Sequence, residues 1–288
     1  MKRLTELLTR TSRTFALSIR LLPAQLRHEV SIAYLLLRVA DTFEDADLWS
    51  PQQRVDALAR LDVLVGAGDV VAAVTESDRW AAARPCEHEG YLELVRELPA
   101  LLEALAGLAP ASRSTIVRHV RRTIVGMGGF LSRGDVAADL AITDLEDLRQ
   151  YCYVVAGIVG ELLTELFVEQ GQFPREYAVA LWAQAASFGE GLQLVNILKD
   201  ADEDALAGRS LLPAGIDRSQ LFALAHRDLD SADLYVKTLR AAGASWGVVG
   251  FTLLPVRLAR ATLDRVERDG PGAKLTRADV AEHLSALR

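Results

Sequence analysis

Carboxylates recur at one-turn spacing twice in this chain. In the first group, Tyr34-Leu-Leu-Leu-Arg38-Val-Ala-Asp41-Thr-Phe-Glu44-Asp45, residues Arg38, Asp41 and Asp45 stand at i, i+3 and i+7. In the second, Gln193-Leu-Val-Asn196-Ile-Leu-Lys199-Asp200-Ala-Asp202-Glu203-Asp204, residues Gln193, Asn196, Asp200 and Asp204 repeat that geometry. On a helix each set projects from one face. Two carboxylates one turn apart repel each other, so a pair needs solvent, a basic partner or a cation. A solvated acidic face explains any single pair. Both pairs here follow apolar turns and sit among amide or basic side chains, which is unlike an outer helix surface. Hard oxygen ligands suit Mg²⁺, which is commonly held by a few carboxylates together with substrate phosphates. Two facing clusters would bracket a diphosphate, neutralise it as a leaving group and help break its carbon–oxygen bond without a protein nucleophile. Arg13, Arg38 and Arg209 are candidates for the rest of the clamp, because guanidinium grips phosphate oxygens in a bidentate way.

Other chemistries lack support. The chain has no Walker loop, no Rossmann glycine fingerprint and no Gly-x-Ser-x-Gly elbow. His28, His88, His119, His226 and His283 lack metal-motif spacing and read as surface or structural residues. Cys86 and Cys152 are far apart, which suggests neither a disulfide framework nor a zinc site and fits a reducing compartment. Thirty-two Lys and Arg against 39 Asp and Glu give a net charge of −7, which argues against a nucleic-acid binder relying on phosphate attraction. The opening MKRLTELLTRTSRTF has no apolar core followed by a cleavage site, and no stretch reads as the roughly 18 apolar residues of a membrane span. A soluble, cytoplasmic protein is expected.

The elements that must position these residues read as helices. Ile32, Leu35, Leu36 and Val39 form one apolar stripe, and Leu94, Leu98, Leu101, Leu102 and Leu105 another; alternating strands are absent. Short turn signals, among them Leu22-Pro23, Ser50-Pro51, Gln170 to Pro174 and Pro213-Ala214-Gly215, cut the chain into roughly ten helices. No long polar linker or internal repeat divides it, so residues 1–288 are expected to form a single all-α domain, a bundle with its site between inward-facing helices.

Several segments resemble, in order, the squalene/phytoene synthase family. Ser12-Arg13-Thr14-Phe15-Ala16-Leu17 is similar to the family's opening signature, and Tyr34 to Asp45 to its first aspartate-rich motif. Val125-Gly126-Met127-Gly128-Gly129-Phe130-Leu131 resembles a glycine-rich helix segment, and Tyr151-Cys-Tyr-Val-Val-Ala156-Gly157-Ile-Val-Gly160-Glu161 a specific family block. The second aspartate-rich motif follows, with its exit Gly208-Arg209-Ser-Leu-Leu-Pro213. The resemblance covers about residues 10–280 and implies the isoprenoid synthase helical bundle with a central active-site cavity. It further implies that Asp41, Asp45, Asp200 and Asp204, with Asn196, bind Mg²⁺. Ser12, Arg13, Arg38, Gln193, Lys199 and Arg209 would then meet substrate, and Tyr151 would act near the diphosphate, in proton handling. Lys199 stands where the family often has Arg, which keeps the charge and loses the planar fork. Gly157 and Gly160 read as close helix packing or room for a prenyl chain.

Within the family the spelling is most similar to bacterial squalene synthase, a farnesyl-diphosphate farnesyltransferase. This implies condensation of two farnesyl diphosphates through presqualene diphosphate to squalene, with NADPH as reductant. Lys274-Leu-Thr-Arg277 lies where squalene synthases carry a basic patch for NADPH phosphate; a helix entry capped by Thr276 explains it equally well. The alternatives are a phytoene or dehydrosqualene synthase, an enzyme that stops at presqualene diphosphate or hydroxysqualene, and, remotely, a non-catalytic helical scaffold. Expected partners are a prenyl diphosphate substrate, no nucleic acid, and a peripheral membrane contact for product release.

Overall fold

Helix signals along the chain become helices wherever the computed structural model describes it, at residues 2–12, 15–133, 142–206 and 211–287. No strand occurs among the described residues. They gather into two compact units, Met1–Val136 and Ala137–Arg288, each with its own apolar core.

The first unit runs through α1 (Lys2–Thr11), α2 (Phe15–Ile19), α3 (Ala24–Glu44), α4 (Pro51–Ala67), α5 (Val70–Ala82), α6 (Glu89–Arg96), α7 (Leu98–Ala106) and α8 (Pro110–Leu131). α3 begins behind Pro23, which supplies a fixed φ, and buries the stripe Ile32, Leu35, Leu36 and Val39 completely. It packs against α8, α4 and α7. A reciprocal cap between Ser50 and Gln53 starts α4, and Gly68, at φ 63°, ends it in the left-handed region. The stripe from Leu94 to Leu105 is shared by two helices rather than one. Pro99 has no N–H to continue α6, so a new helix starts at Leu98 with proline in its first turn. Such breaks give more and shorter helices than the turn signals alone predict.

The second unit contains α9 (Leu145–Cys152), a π-helical turn (Tyr153–Gly157), α10 (Ile158–Gly171), α11 (Arg175–Leu206), α12 (Arg218–Ala241), α13 (Trp246–Asp269) and α14 (Arg277–Ser285). α11 is its axis and packs against α9, the π-turn, α10, α12 and α13. A Cβ on Gly160 would stand 1.9 Å from the Ala185 carbonyl oxygen, and one on Gly189 would stand 2.0 Å from that of Ala156. Glycine at these two positions lets α11 and its neighbour approach backbone to backbone. The helical run Leu145–Gly171 is long and apolar enough to cross a membrane by length and composition, which corrects the expectation that no stretch of the chain is. Its burial against α11 accounts for that composition.

Candidate functional site

The two acidic motifs share a position in their helices. Asp41 lies in the last turn of α3, and Asp45 is its C-terminal cap, its backbone N–H donating to the Asp41 carbonyl oxygen at 2.8 Å. Asp45 is thus one residue beyond the helix face on which the spacing places it. Asp200, Asp202, Glu203 and Asp204 occupy the last two turns of α11. Neither helix has a basic residue in its last turn. Carboxylates at a helix C-terminus oppose the helix dipole, so each end favours cationic partners.

At the first motif the Arg38 guanidinium lies 3.2 Å from Asp41 Oδ2 and donates to the Tyr34 hydroxyl at 3.0 Å. It also stands over two aromatic rings, 5.4 Å from the centre of Tyr34 and 6.0 Å from that of Tyr91. Burial works against its charge, but Asp41 and Tyr34 outweigh it and hold Arg38 more firmly protonated than usual. Asp41 is pushed up to about 6: burial raises it, Arg38 opposes the shift and Asp45 adds to it. Although 31% of the Asp41 side chain meets solvent, its carboxyl is packed deep enough among helix neighbours for desolvation to win.

At the second motif Gln193, Asn196, Asp200 and Asp204 all lie on α11, as the spacing predicts. Lys199 Nζ sits 3.0 Å from Asp200 Oδ2, so the lysine is engaged by its own motif. Lys274 Nζ donates to Glu203 Oε1 at 2.6 Å. Arg277 opens α14, whose cap pairs Thr276 with Asp279. Tyr151, 5% exposed, lies in the last turn of α9 just before the π-turn, an irregularity often retained where a helix carries function. Ser12 follows α1, its N–H bonded to the Leu8 carbonyl at 2.9 Å. Arg13 and Arg209 lie outside the described residues.

Three participants escape the sequence patterns. Tyr91, on α6, reaches Arg38 only through the fold. Glu203 reads as a spare acid until Lys274 is found on it. Glu190, 8% exposed on α11, is a carboxyl raised by burial and by Asp228, with Arg149 3.9 Å away in opposition. Its setting in the run Phe188-Gly189-Glu190-Gly191 was the available signal.

Each unit is all-helical among the described residues, and α3 and α11 both end in carboxylates. The squalene/phytoene synthase family model matches residues 8–217, and the chain belongs to that family. It is 32% identical to the squalene synthase of Botryococcus braunii called "Botryococcus squalene synthase", over 69% of this chain and 38% of that protein. It is 30% identical to the Homo sapiens squalene synthase, over 72% of this chain and 45% of the human protein. The matches thus span less than half the length of these curated relatives. Among solved structures, a complex of TcSQS with a ligand superposes with a TM-score of 0.80 at 25% identity, covering 99% of this chain and 85% of that one. The squalene synthase HpnC from Alicyclobacillus acidocaldarius shares the fold, with a TM-score of 0.56 at 18% identity over 93% of each chain.

Proposed function

We propose that the protein is a prenyltransferase that joins two farnesyl diphosphates head to head through presqualene diphosphate to squalene, with Mg²⁺ as cofactor and NADPH as reductant. The observation that carries this reading is the placement of both carboxylate pairs at helix C-termini, where like charge is unfavourable and a divalent cation relieves it, in a member of this family. Asp41, Asp45, Asp200 and Asp204, with the amide oxygen of Asn196, are the hard donors that would hold Mg²⁺. Bound there, the metal supplies charge neutralisation of a departing diphosphate. Arg38 holds phosphate oxygens, its charge secured by Asp41 and its plane fixed by Tyr34. Ser12, Gln193 and Lys199 would orient the substrates, joined by Arg13 and Arg209. Tyr151 is the proton-handling group, and the apolar block around it keeps water from an allylic cation.

The residues named for NADPH have acidic neighbours: Lys274 pairs with Glu203, and Arg277 stands in the first turn of α14 beside the acidic cap Asp279. This favours a second reading, in which the chain releases presqualene diphosphate or hydroxysqualene without reduction. Incubation of the purified protein with farnesyl diphosphate and Mg²⁺, with and without NADPH, followed by mass spectrometry of products, separates the two. Squalene formed only with NADPH supports the first reading; the same product in both arms supports the second. If farnesyl diphosphate is not consumed, both fail.

A further inference from the structure

The connection between α13 and α14 is tied to the last turns of α11 at two points. α13 ends at Gly270, and the chain turns through Gly270 (φ 92°) and Gly272 (φ 81°), conformations that glycine adopts without strain. The Gly272 N–H donates to the Lys199 carbonyl oxygen at 2.7 Å. Four residues along α11, Glu203 accepts the Lys274 ammonium at 2.6 Å. These anchors are one helical turn apart and bracket the turn that carries Asp200.

The connection is itself held from behind. Arg265, on α13, donates to the Lys274 carbonyl at 2.9 Å and pairs with Asp279 at 3.1 Å. Asp279 closes the cap of α14 with Thr276, its carboxylate accepting from the Thr276 N–H at 2.7 Å. The backbone of Lys274 is therefore fixed by α13, and its ammonium is delivered to α11. That delivery adds a cation to an acidic helix end, since α11 ends in Asp200, Asp202, Glu203 and Asp204 with no basic residue in its last turn. Beyond them Leu206 is 90% exposed, so the helix end has little core packing to hold it. An isolated exposed ion pair contributes little. Here the pair acts beside a backbone hydrogen bond and against several like charges at the unfavourable end of a helix.

We propose that the Gly270–Thr276 connection is a strap that keeps the last turns of α11 helical, with Lys274 as a positioning residue acting through Glu203. The strap holds Asp200 and Asp204 one turn apart before metal arrives. The inference rests on the reading of those two residues as metal ligands and assigns Lys274 to the metal-binding helix rather than to a dinucleotide.

The test is amide hydrogen exchange of residues 199–206 in the metal-free protein and in the variants Lys274→Met and Lys274→Arg, repeated with saturating Mg²⁺. Lys274→Met is expected to accelerate exchange in this segment by about three- to fivefold, the upper range for an exposed pair. The interior of α13 should be unchanged, Lys274→Arg should restore protection, and Mg²⁺ should return the Met variant towards wild type. Wild-type exchange in metal-free Lys274→Met would overturn the strap, as would an unchanged segment accompanied by lost NADPH binding in calorimetry. Failure of Mg²⁺ to protect residues 199–206 of the wild type would instead refute the metal reading, while the metal-free comparison still decides the strap.

Discussion

The ends of α3 and α11 carry carboxylates at the same spacing and hold them by different means. The α3 end is embedded: Val39, Ala40, Phe43 and Ala46 around it are fully buried, and Asp41 faces an arginine fixed by Tyr34 and Tyr91. The α11 end projects: Asp202, Glu203 and Leu206 are exposed, and among the described residues two lysines pair with it, one adjacent in sequence and one delivered by a loop. The first end is closely packed and bears the desolvation cost of an acidic group. The second is more solvated and is tied by the Lys274–Glu203 pair and the Gly272–Lys199 hydrogen bond.

The largest test of this contrast is removal of one charge from each end. Asp41→Asn and Asp200→Asn should each lower turnover by about a hundredfold or more, the scale of losing one preorganised electrostatic group. Their stabilities should diverge: in thermal melts without metal above pH 6, Asp41→Asn should melt above wild type, because it removes a desolvated charge, whereas Asp200→Asn should change little. Equal melting shifts would erase the distinction.

The pH response should separate the ends next. The Asp41 pKa is raised from 3.8 to about 6, so the folded protein binds this proton more tightly than the unfolded chain. Its destabilising contribution is fully present above about 6 and fades as pH falls towards 3.8. Mg²⁺ must compete with that proton, so affinity measured by calorimetry should fall about tenfold for each pH unit below 6. In Asp41→Asn this segment of the profile should flatten. Smaller effects concern the arginine cage. Arg38→Lys should raise KM for farnesyl diphosphate about tenfold, because a point charge replaces a charge-assisted fork. Tyr34→Phe, which removes only the 3.0 Å hydrogen bond that orients Arg38, should cost about two- to fivefold in the same steady-state assay.

Much of this organisation was legible in the sequence because it is local. The stripe Ile32, Leu35, Leu36 and Val39 needs only the helical period, and the carboxylate pairs need only one-turn spacing. The division between α6 and α7 was less legible, since Leu94 and Leu98 continue an apolar pattern across a break set by Pro99. The dipole problem also depends on where helices stop, and Asp45 proved to be a cap rather than a helical residue. The partners of the charged groups are long-range: Tyr91 reaches Arg38 from another helix, and Lys274 reaches Glu203 across 71 positions. Such pairings have no period to betray them. Lys274 and Arg277 read as a basic pair in the sequence, which shows neither the Glu203 partner of the first nor the capped helix start that holds the second.

The central claim is that both acidic helix ends bind Mg²⁺ for ionisation of a prenyl diphosphate. Its most direct test is the Mg²⁺-dependent rate of farnesyl diphosphate consumption by wild type, Asp41→Asn and Asp200→Asn, each first shown to retain native helicity. The account predicts metal-dependent turnover by the wild type and near-complete loss in both variants; a well-folded variant at either position that turns over at the wild-type rate would contradict it.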